Sequence, residues 1–380
     1  MSDAVIVGAV RTAVGKRGGG LSAIHPADLS AHVLETLAER TTLDPSAVDD
    51  VVWGCVSQVG EQTFDIARTA VLSAGWPESV PGTTVDRQCG SSQQAVHFAA
   101  AGLIAGQYDV VVAGGVESMS RVPMGSAQAS GNPLGQRYLA RYGPEFPNQG
   151  IGAEMIAETW ALSRRHLDEF ALRSHERAAA ATDSGLFAEE IVVIDADGTI
   201  VGNDEGIRRG GTLETLAALR PAFRDGGTIT AANSSQISDG SAALLMMTSD
   251  AAHRHGLTPL ARIHTAVVAG SAPMPMLTGP IPATHKALQR SGLTIEDIGV
   301  FEVNEAFASV VLAWATEFDV NLATVNPRGG AIALGHPLGG SGARLMTTML
   351  HHMRANGIRY GLQTMCEGGG QANATILELL

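Results

Sequence analysis

The chain has 380 residues, of which 45% are hydrophobic and 17% charged; this composition is typical of folded globular proteins and excludes a disordered or fibrous one. Its 25 Lys and Arg residues against 38 Asp and Glu give a formal net charge of −13, which argues against a nucleic-acid-binding protein. The three cysteines are too few and too widely spaced for a disulfide framework or a zinc finger, so they predict a reducing compartment.

The N-terminal segment has neither the basic region nor the apolar region of a secretion signal. No apolar run approaches the length of about 18 residues that a transmembrane helix needs. The sequence therefore predicts a cytoplasmic protein that does not associate with membranes.

Short runs rich in β-branched residues alternate with alanine-rich stretches along most of the chain. The runs predict strands at Ala4–Val10, Asp50–Trp53, Asp109–Ala113, Gly299–Val303 and Gly361–Met365. The alanine-rich stretches predict helices at Leu29–Arg40, Gln93–Ala105 and Gly342–Arg354. Because strands that alternate with helices build layered sheets, the pattern predicts an α/β fold.

Two features describe the organisation of the chain. Residues 120–235 hold 11 of the arginines, and most of their helical stretches lack strand partners, so we interpret this segment as an insertion between strands. Leu43–Gly54 matches Leu293–Asn304 at an offset of 250, and Thr84–Asp86 matches Thr324–Asn326 at an offset of 240. Two matches in the same order indicate an internal duplication with two similar halves.

The first turn with chemical character holds Cys89. A β-like run ends there, Gly90 follows and a helical stretch begins, which predicts Cys89 at a helix N-terminus. The free N–H groups and the macrodipole at such a terminus favour a thiolate, so Cys89 is a candidate nucleophile. On this stretch alone, a buried structural cysteine is an equal alternative.

Polar residues also follow the predicted strand Gly299–Val303. Asn304 and Glu305 stand at its carboxyl end, where the sites of α/β proteins usually lie. Taken alone, this pattern favours an ordinary helix cap by Asn304.

Six glycines surround His336 between Asn326 and Gly342. Histidine can deprotonate a thiol near neutral pH, which makes His336 a candidate base. A phosphate-binding loop is the rival interpretation, but no Gly-Lys-Ser/Thr sequence follows, and the chain's only lysines are Lys16 and Lys286.

Cys366 also ends a predicted strand and precedes a run of glycines, Gly368–Gly370. Two cysteines that each stand beside a glycine turn indicate two thiols in one pocket. A disulfide pair and two unrelated core thiols are the alternatives.

Four stretches, Gln88–Ser91, Asn304–Phe307, Gly335–Pro337 and Cys366–Gly368, resemble in order the motifs of thiolases, acyl-CoA:acetyl-CoA C-acyltransferases. The resemblance runs from Arg11–Lys16 to the last strand. It implies an α/β thiolase fold, in which two similar βαβαβαββ halves form a layered α-β-α-β-α core and carry an inserted, mainly helical loop domain.

Applied to this chain, the resemblance implies three regions. The N-terminal half would span residues 1–119 and be completed by about 238–258. The loop domain would span 120–237 and the C-terminal half 259–380.

The resemblance also implies thiolytic cleavage of 3-oxoacyl-CoA by CoA, or the reverse Claisen condensation. Cys89 would hold the acyl group as a thioester, His336 would take the Cys89 proton, and Cys366 would move the proton on the α-carbon of acetyl-CoA. One oxyanion hole would use His336 Nε2 and a water held by Asn304. The other would use the backbone N–H groups of Cys89 and Gly368.

By the same resemblance, the loop domain covers CoA. Arg208 and Thr215 would meet its nucleotide end and Ser235 its pantetheine, although each arginine is equally well a solvated surface charge. Glu305 is expected to support the site rather than transfer protons. CoA and acyl-CoA are expected as substrates, with no permanently bound cofactor and no metal, in a homodimer or homotetramer.

The sequence departs from the family pattern in three places. Asn148–Met155 lacks the His-Met-Gly stretch that lines the acyl pocket of many thiolases, Ser92 replaces a common glycine, and Glu367 replaces a small residue. A carboxylate at Glu367 would raise the pKa of Cys366 if the two side chains approach.

The altered loop predicts a degradative enzyme for a longer or bulky acyl chain, similar to thiolases of actinobacterial steroid and lipid breakdown. A biosynthetic acetoacetyl-CoA thiolase and an inactive acyl-CoA-binding protein are the alternatives. A decarboxylating ketoacyl synthase is disfavoured because Cys366 is present.

Overall fold

A computed structural model describes residues 3–129, 131–144, 147–196 and 198–380. Its strands are β1 (Val5–Thr12), β2 (Gly15–Lys16), β3 (Asp50–Gly54), β4 (Gly82–Val85), β5 (Val110–Ser118), β6 (Ile191–Val192), β7 (Ile194–Ala196), β8 (Thr199–Val201), β9 (Ser238–Met247), β10 (Ala261–Gly270), β11 (Val300–Val303), β12 (Tyr360–Glu367) and β13 (Gln371–Leu379). Its helices are α1 (Pro26–Thr41), α2 (Ile66–Ser73), α3 (Ser91–Ala105), α4 (Gln136–Tyr142), α5 (Gln149–Thr159), α6 (Arg164–Asp183), α7 (Leu213–Ala217), α8 (Ser249–Arg254), α9 (Pro280–Ser291), α10 (Ala308–Glu317), α11 (Ala331–Leu334) and α12 (Ser341–Asn356). The predicted strands and helices are all present.

The main sheet has the strand order β11-β12-β13-β10-β1-β9-β5-β3-β4. Its two halves join at β1 and β10, which pair only through Val5 with Arg262 and Ile6 with Ala261. The first half runs β1-α1-β3-α2-β4-α3-β5-β9 along the chain. The second runs β10-α9-β11-α10, then a single parallel bridge from Val325 to Phe301 in place of β4, then α12-β12-β13.

The registers of the two halves are equivalent as well. Asp50 pairs with Val111, and Val300 pairs with Gly361, which are the same two positions 250 residues later. The internal duplication and the paired βαβαβαββ halves predicted from the sequence are therefore confirmed.

Helices α3 and α12 form the middle layer. They pack against each other, and α12 contacts strands of both halves, including β9 and β12. Every residue of α12 from Ser341 to Leu350 is buried, as expected for a helix covered on all sides. Helix α1 covers β1 and β9 on one outer face, and α9 covers β10 and β13 on the other.

The connection between the last two strands differs most between the halves. In the first half, β5 and β9 are separated by the insertion, which carries α4 to α7 and three short strands. In the second half, β12 and β13 are joined by Gly368–Gly370 alone, and Gly369 and Gly370 have φ values of 85° and 79° that favour glycine. None of the helices in the described residues is long and apolar enough to cross a membrane.

Candidate active site

Cys89 lies in a tight turn between β4 and α3. Gln88, just before it, has a left-handed φ of 48°, and Gly90, just after it, is the N-cap of α3. The hydroxyl of Ser91 accepts a hydrogen bond from Arg87 N at 2.9 Å and donates one to Gln88 O at 2.6 Å. This hydroxyl fixes the turn that presents Cys89 ahead of the helix.

The backbone N–H groups of Cys89 and Gly368 both face the Cys89 sulfur. They counteract burial and the charge of Glu367, which together raise the pKa of Cys89 to about 12. Burial is the larger of the two causes, so the helix N-terminus, which by itself favours a thiolate, does not keep Cys89 charged. Cys89 rests as a thiol and needs a base.

Cys366, at the end of β12, is fully buried beside Cys89. Burial and the neighbouring Cys89 raise the pKa of its thiol, and Glu367 raises it further, as expected if the side chains approach. Both cysteines are free, so the two thiols share one site without a disulfide.

His336 follows Gly335, whose φ of 112° favours glycine. His336 Nδ1 lies 2.6 Å from Ser341 Oγ, and that hydroxyl donates to Pro337 O at 2.7 Å. The hydroxyl has one proton, so Nδ1 is the donor and Nε2 keeps its lone pair. Burial and the charge of Arg344 lower the pKa of His336 to about 3, so the imidazole is neutral.

Asn304 contacts the free side of the histidine. Its Nδ2 lies 3.3 Å from His336 Nε2, and its Oδ1 is buried without a hydrogen-bond partner among the described residues. The N-cap of α10 is Phe307, so the interpretation of Asn304 as a helix cap is wrong. Asn304 instead places an unsatisfied carbonyl oxygen beside the His336 ring, where it can hold a water molecule.

The helices that follow Cys89 and His336 meet at their first turns. Ser92 Oγ, on α3, accepts a hydrogen bond from Ala343 N, on α12, at 2.9 Å. A glycine at position 92 could not make this bond, which accounts for that departure from the family pattern. The described residues contain no hydrogen bond between Cys89 and His336 themselves.

Glu305 is a structural support. Its carboxylate accepts hydrogen bonds from Ser174 Oγ at 2.6 Å, Asn326 Nδ2 at 2.9 Å and Ile332 N at 3.1 Å. These bonds tie the insertion to the loop that carries His336 and leave Glu305 no open side for a substrate.

Sequence reasoning missed two residues that shape the site. Glu117, at the end of β5, accepts four N–H groups, including Gly339 N in the His336 loop at 2.9 Å. Ser341 orients His336. The signal available for Glu117 was its offset of 250 residues from Glu367. We identify no comparable signal in the sequence for Ser341.

A cavity of about 520 Å³ brings two of the three predicted CoA-binding residues together. Arg208 and Ser235 line it with Lys16, Arg17 and Gln236. Gln236 also accepts a hydrogen bond from His336 N at 3.2 Å, so one wall of the cavity adjoins the His336 loop.

The third predicted residue, Thr215, does not line this cavity. It is exposed on α7, and its hydroxyl donates to Thr212 O at 2.8 Å. Within the described residues, no group of three or more His, Cys, Asp or Glu side chains could hold a metal ion.

Comparison with known proteins gives a consistent result. The family model "Thiolase, N-terminal domain" matches residues 4–250, and "Thiolase, C-terminal domain" matches residues 257–379. The chain is 52% identical to the steroid 3-ketoacyl-CoA thiolase FadA6 of Mycobacterium tuberculosis over 100% of the chain and 95% of that protein. It is 48% identical to a 3-ketoacyl-CoA thiolase of Erwinia tasmaniensis, with full coverage of both chains.

A crystal structure of the Bacillus anthracis acetyl-CoA acetyltransferase is also similar, with a TM-score of 0.92 and 38% identity. The match covers 100% of this chain and 99% of that one.

Proposed function

The chain belongs to the thiolase family of acyltransferases, and we propose that it cleaves 3-oxoacyl-CoA with free CoA through an acyl-enzyme at Cys89. The observation that carries the proposal is the pair of free thiols, Cys89 and Cys366, in one site with two N–H groups directed at the first. Thiolysis needs two such groups, one to hold the acyl unit and one to move a proton.

In the first step, His336 Nε2 takes the proton of Cys89, and the sulfur attacks the 3-oxo carbon. The bond between carbons 2 and 3 breaks, and the electron pair forms the enolate of acetyl-CoA. Cys366 gives its proton to that enolate, so acetyl-CoA leaves and the acyl group stays on Cys89.

In the second step, the thiol of free CoA gives its proton to the Cys366 thiolate and attacks the thioester. Acyl-CoA leaves, and protonated His336 returns the proton to Cys89. Atoms and charges balance over the cycle, and no redox cofactor is required. Because Cys89 and His336 share no hydrogen bond, the transfer between them requires closer approach or a bridging water.

The tautomer of His336 supports both of its roles. Nε2 begins unprotonated, since Nδ1 donates to Ser341, and its lone pair, which faces Asn304 Nδ2 at 3.3 Å, can act as a base. Once protonated, Nε2–H becomes a donor for the thioester oxygen of the acetyl-CoA enolate, and Asn304 holds the water beside it. The N–H groups of Cys89 and Gly368 stabilise the other oxyanion.

A longer or bulky acyl chain is supported by the wall near the start of α5. Asn148 caps this helix, and Met124 and Phe223 lie against its first turn with 49% and 36% of their surfaces exposed. Phe223 also stacks edge-on against Phe307 at 5.8 Å. Half-exposed apolar side chains beside Phe307 suit a substrate with a large apolar group, and the name of the similar FadA6 protein is that of a steroid thiolase.

For CoA, the cationic lining of the 520 Å³ cavity by Lys16, Arg17 and Arg208 suits its phosphates, with Ser235 available to the pantetheine. The assignment of Thr215 to the nucleotide end remains a prediction. So does the division into 1–119 with 238–258, 120–237 and 259–380.

A homodimer or homotetramer is supported by the edge of the sheet. Strand β4 pairs with β3 on one side only in the described chain, and Phe64 and Phe98 are 90% and 48% exposed. An open edge with apolar neighbours suits pairing with a second copy. A cytoplasmic location remains a prediction.

The test is a thiolysis assay that follows loss of the 3-oxoacyl-CoA enolate absorbance, on substrates from acetoacetyl-CoA to polycyclic 3-oxoacyl-CoAs. Wild type is compared with Cys89→Ala and with Cys55→Ala, which removes the third cysteine. We expect turnover of the bulky substrates by wild type and Cys55→Ala but not by Cys89→Ala.

Best activity on acetoacetyl-CoA would favour the alternative suggested by the similar Bacillus anthracis acetyl-CoA acetyltransferase and refute the bulky substrate. Equal, negligible rates in wild type and Cys89→Ala would refute the enzyme and favour an acyl-CoA-binding protein.

A further inference from the structure

Glu367 is a buried acid beside both thiols that the mechanism does not use. It is the last residue of β12 and has no exposed surface. Neither of its carboxyl oxygens has a hydrogen-bond partner among the described residues. A buried carboxylate with no donor is costly, so the protonation state of Glu367 needs an explanation.

The nearest candidate partner is an oxygen that is unsatisfied in the same way. Asn373 Oδ1, on β13, is buried and has no partner in the described chain, while its Nδ2 donates to Gln94 Oε1 at 3.2 Å. A methyl group on Gly90 would overlap both Glu367 Oε1 and Asn373 Oδ1, so the two oxygens border the same small space beside Gly90.

Two acceptor oxygens that border one buried space can bond to each other only if one of them carries a proton. An amide oxygen is protonated far less easily than a carboxylate, so the proton belongs to Glu367. We infer that Glu367 is an uncharged carboxylic acid in the resting enzyme, donates its O–H to Asn373 Oδ1, and thereby acts as a positioning residue that closes the Cys89 turn without placing a negative charge beside the two thiols.

The groups around Glu367 are consistent with this state. On its own strand it follows Cys366; from the turn before α3 it faces Asp86, Arg87 and Cys89; β13 contributes the uncharged Asn373. The Arg87 guanidinium favours the charged form, but Arg87 binds Gln371 Oε1 at 3.0 Å and forms no ion pair with Glu367 in the described residues. The backbone N–H of Asn373, directed at the carboxyl group, also favours the charged form. Burial, aided by Asp86, outweighs both Arg87 and this N–H and raises the pKa of Glu367 to about 8.

The consequence for the reaction follows from the charge. An ionised Glu367 raises the pKa of both Cys89 and Cys366, and it opposes the thiolates and the oxyanion that form during turnover. Loss of its proton therefore switches the enzyme off as the pH rises. This inference rests on the proposed function, because the affected groups are the proposed nucleophile and general acid.

The test compares wild type with Glu367→Gln, which keeps a hydrogen-bond donor but cannot ionise. The kcat/KM of thiolysis is measured from about pH 6 to 9.5, and the ratio of variant to wild type is plotted, so that ionisation of CoA itself cancels. We expect a ratio near one at neutral pH that rises about tenfold per pH unit once Glu367 ionises. The control, Glu296→Gln, changes an exposed acid and should give a constant ratio.

A second measurement does not depend on catalysis. Infrared difference spectra of the whole protein between neutral and alkaline pH should show loss of a protonated carboxyl band in wild type. In the spectrum of wild type minus that of Glu367→Gln, the protonated carboxyl band should be present below the pH at which Glu367 ionises. It should be absent above that pH. Subtracting the variant removes the signal of Glu302, another buried acid whose pKa is raised to about 8.

Either of two results would overturn the inference: a flat activity ratio, or no carboxyl band that depends on Glu367. A flat ratio would mean that the proton of Glu367 does not control turnover. Absence of the band would mean that Glu367 is ionised at neutral pH, with the amides of Asn373 and Gln94 turned to donate toward it. If wild type showed no thiolysis, the proposed function would fail while the infrared titration still reported on Glu367.

Discussion

The two halves of the molecule place a glutamate at the same position and treat it in opposite ways. Glu117 ends β5 and Glu367 ends β12, 250 residues later in an equivalent register. Glu117 accepts hydrogen bonds from Val56 N, Ser57 N, Gln62 Nε2 and Gly339 N at 2.8–3.0 Å. Neither oxygen of Glu367 is within hydrogen-bond geometry of a donor among the described residues, although the N–H of Asn373 is directed at the carboxyl group.

Each of these acids reaches across to the other half. Glu117 binds the turn before α12, and Glu367 lies against Gly90 in the turn before α3. Gly339 and Cys89 are the equivalent residues of these turns. The N–H of Gly339 donates a hydrogen bond to Glu117, whereas the N–H of Cys89 faces the sulfur of its own residue. The comparison shows that the two halves share one backbone arrangement. The proposed nucleophile lies in the turn whose backbone N–H is not bound by a glutamate.

Replacing the two acids should give the largest difference. Glu117→Ala leaves four buried N–H groups without an acceptor, so we expect it to lower the free energy of unfolding by at least about 3 kcal/mol. Glu367→Ala removes one donor, to Asn373 Oδ1, rather than the acceptor of four N–H groups, so it should cost less, about 1 kcal/mol at neutral pH. Urea denaturation of both variants at pH 7 measures this difference; equal losses would contradict the asymmetry.

The two turn glycines should differ by less. A methyl group on Gly339 would press on main-chain atoms, Val116 O and Cys55 Cα, the latter at 2.7 Å. On Gly90 it would meet only the side-chain ends of Glu367 and Asn373. Gly339→Ala should therefore cost about 2–3 kcal/mol of unfolding free energy and Gly90→Ala less, since side chains yield more easily than backbone.

A double variant sharpens this prediction. Adding Glu367→Ala should restore part of the stability lost in Gly90→Ala, because the methyl group then has space. The same addition should not help Gly339→Ala. Thermal or urea unfolding of the single and double variants gives the coupling free energy between each glycine and Glu367. Absence of coupling between positions 90 and 367 would show that they are not in contact.

Replacing the equivalent serines Ser91 and Ser341 should affect different properties, stability for Ser91 and catalysis for Ser341. Ser91 joins Arg87 N to Gln88 O, whereas Ser341 joins His336 Nδ1 to Pro337 O. We expect Ser341→Ala to lower kcat about tenfold with little change in KM, because the imidazole loses the acceptor that fixes its tautomer. Ser91→Ala should instead cost about 1 kcal/mol of stability. The reverse result would assign the histidine a different support.

The last prediction concerns the pH dependence of stability. The pKa of Glu367 is raised on folding, so its contribution is complete below the ordinary carboxyl pKa and is lost as the pH rises through about 8. Glu367→Gln lacks this loss, and its unfolding midpoint should fall less than that of wild type between about pH 6 and 9. Parallel curves would indicate an ordinary carboxyl pKa in the folded state.

Much of the frame was predictable because its signals are local. The strand ending at Val303 and the turn at Cys89 depend on residues close together in the chain, and the duplication is visible because such local patterns recur at an offset of 250. The resemblance then supplied Cys89, His336, Cys366 and Asn304 as candidates, and the structure brings them to the ends of strands and helices in the two halves.

The charge states were not predictable, because they depend on distant partners. The donors to Glu117 come from as many as 222 residues away, and the acceptor facing Glu367 is an amide on the next strand. The helix N-terminus suggested a thiolate at Cys89, yet burial raises its pKa. A sequence pattern reveals which groups are present but not how much water they lose.

Each half packs a glutamate against a turn of the other half, so the order of synthesis determines when each turn can form. Glu367 and Asn373 lie within the final two strands, so a nascent chain holds Cys89 long before the residues that pack against Gly90 have left the ribosome. Domains form as units while translation proceeds, but this turn must wait for β12 and β13. A prematurely released chain therefore carries the cysteine without the partners that complete its turn.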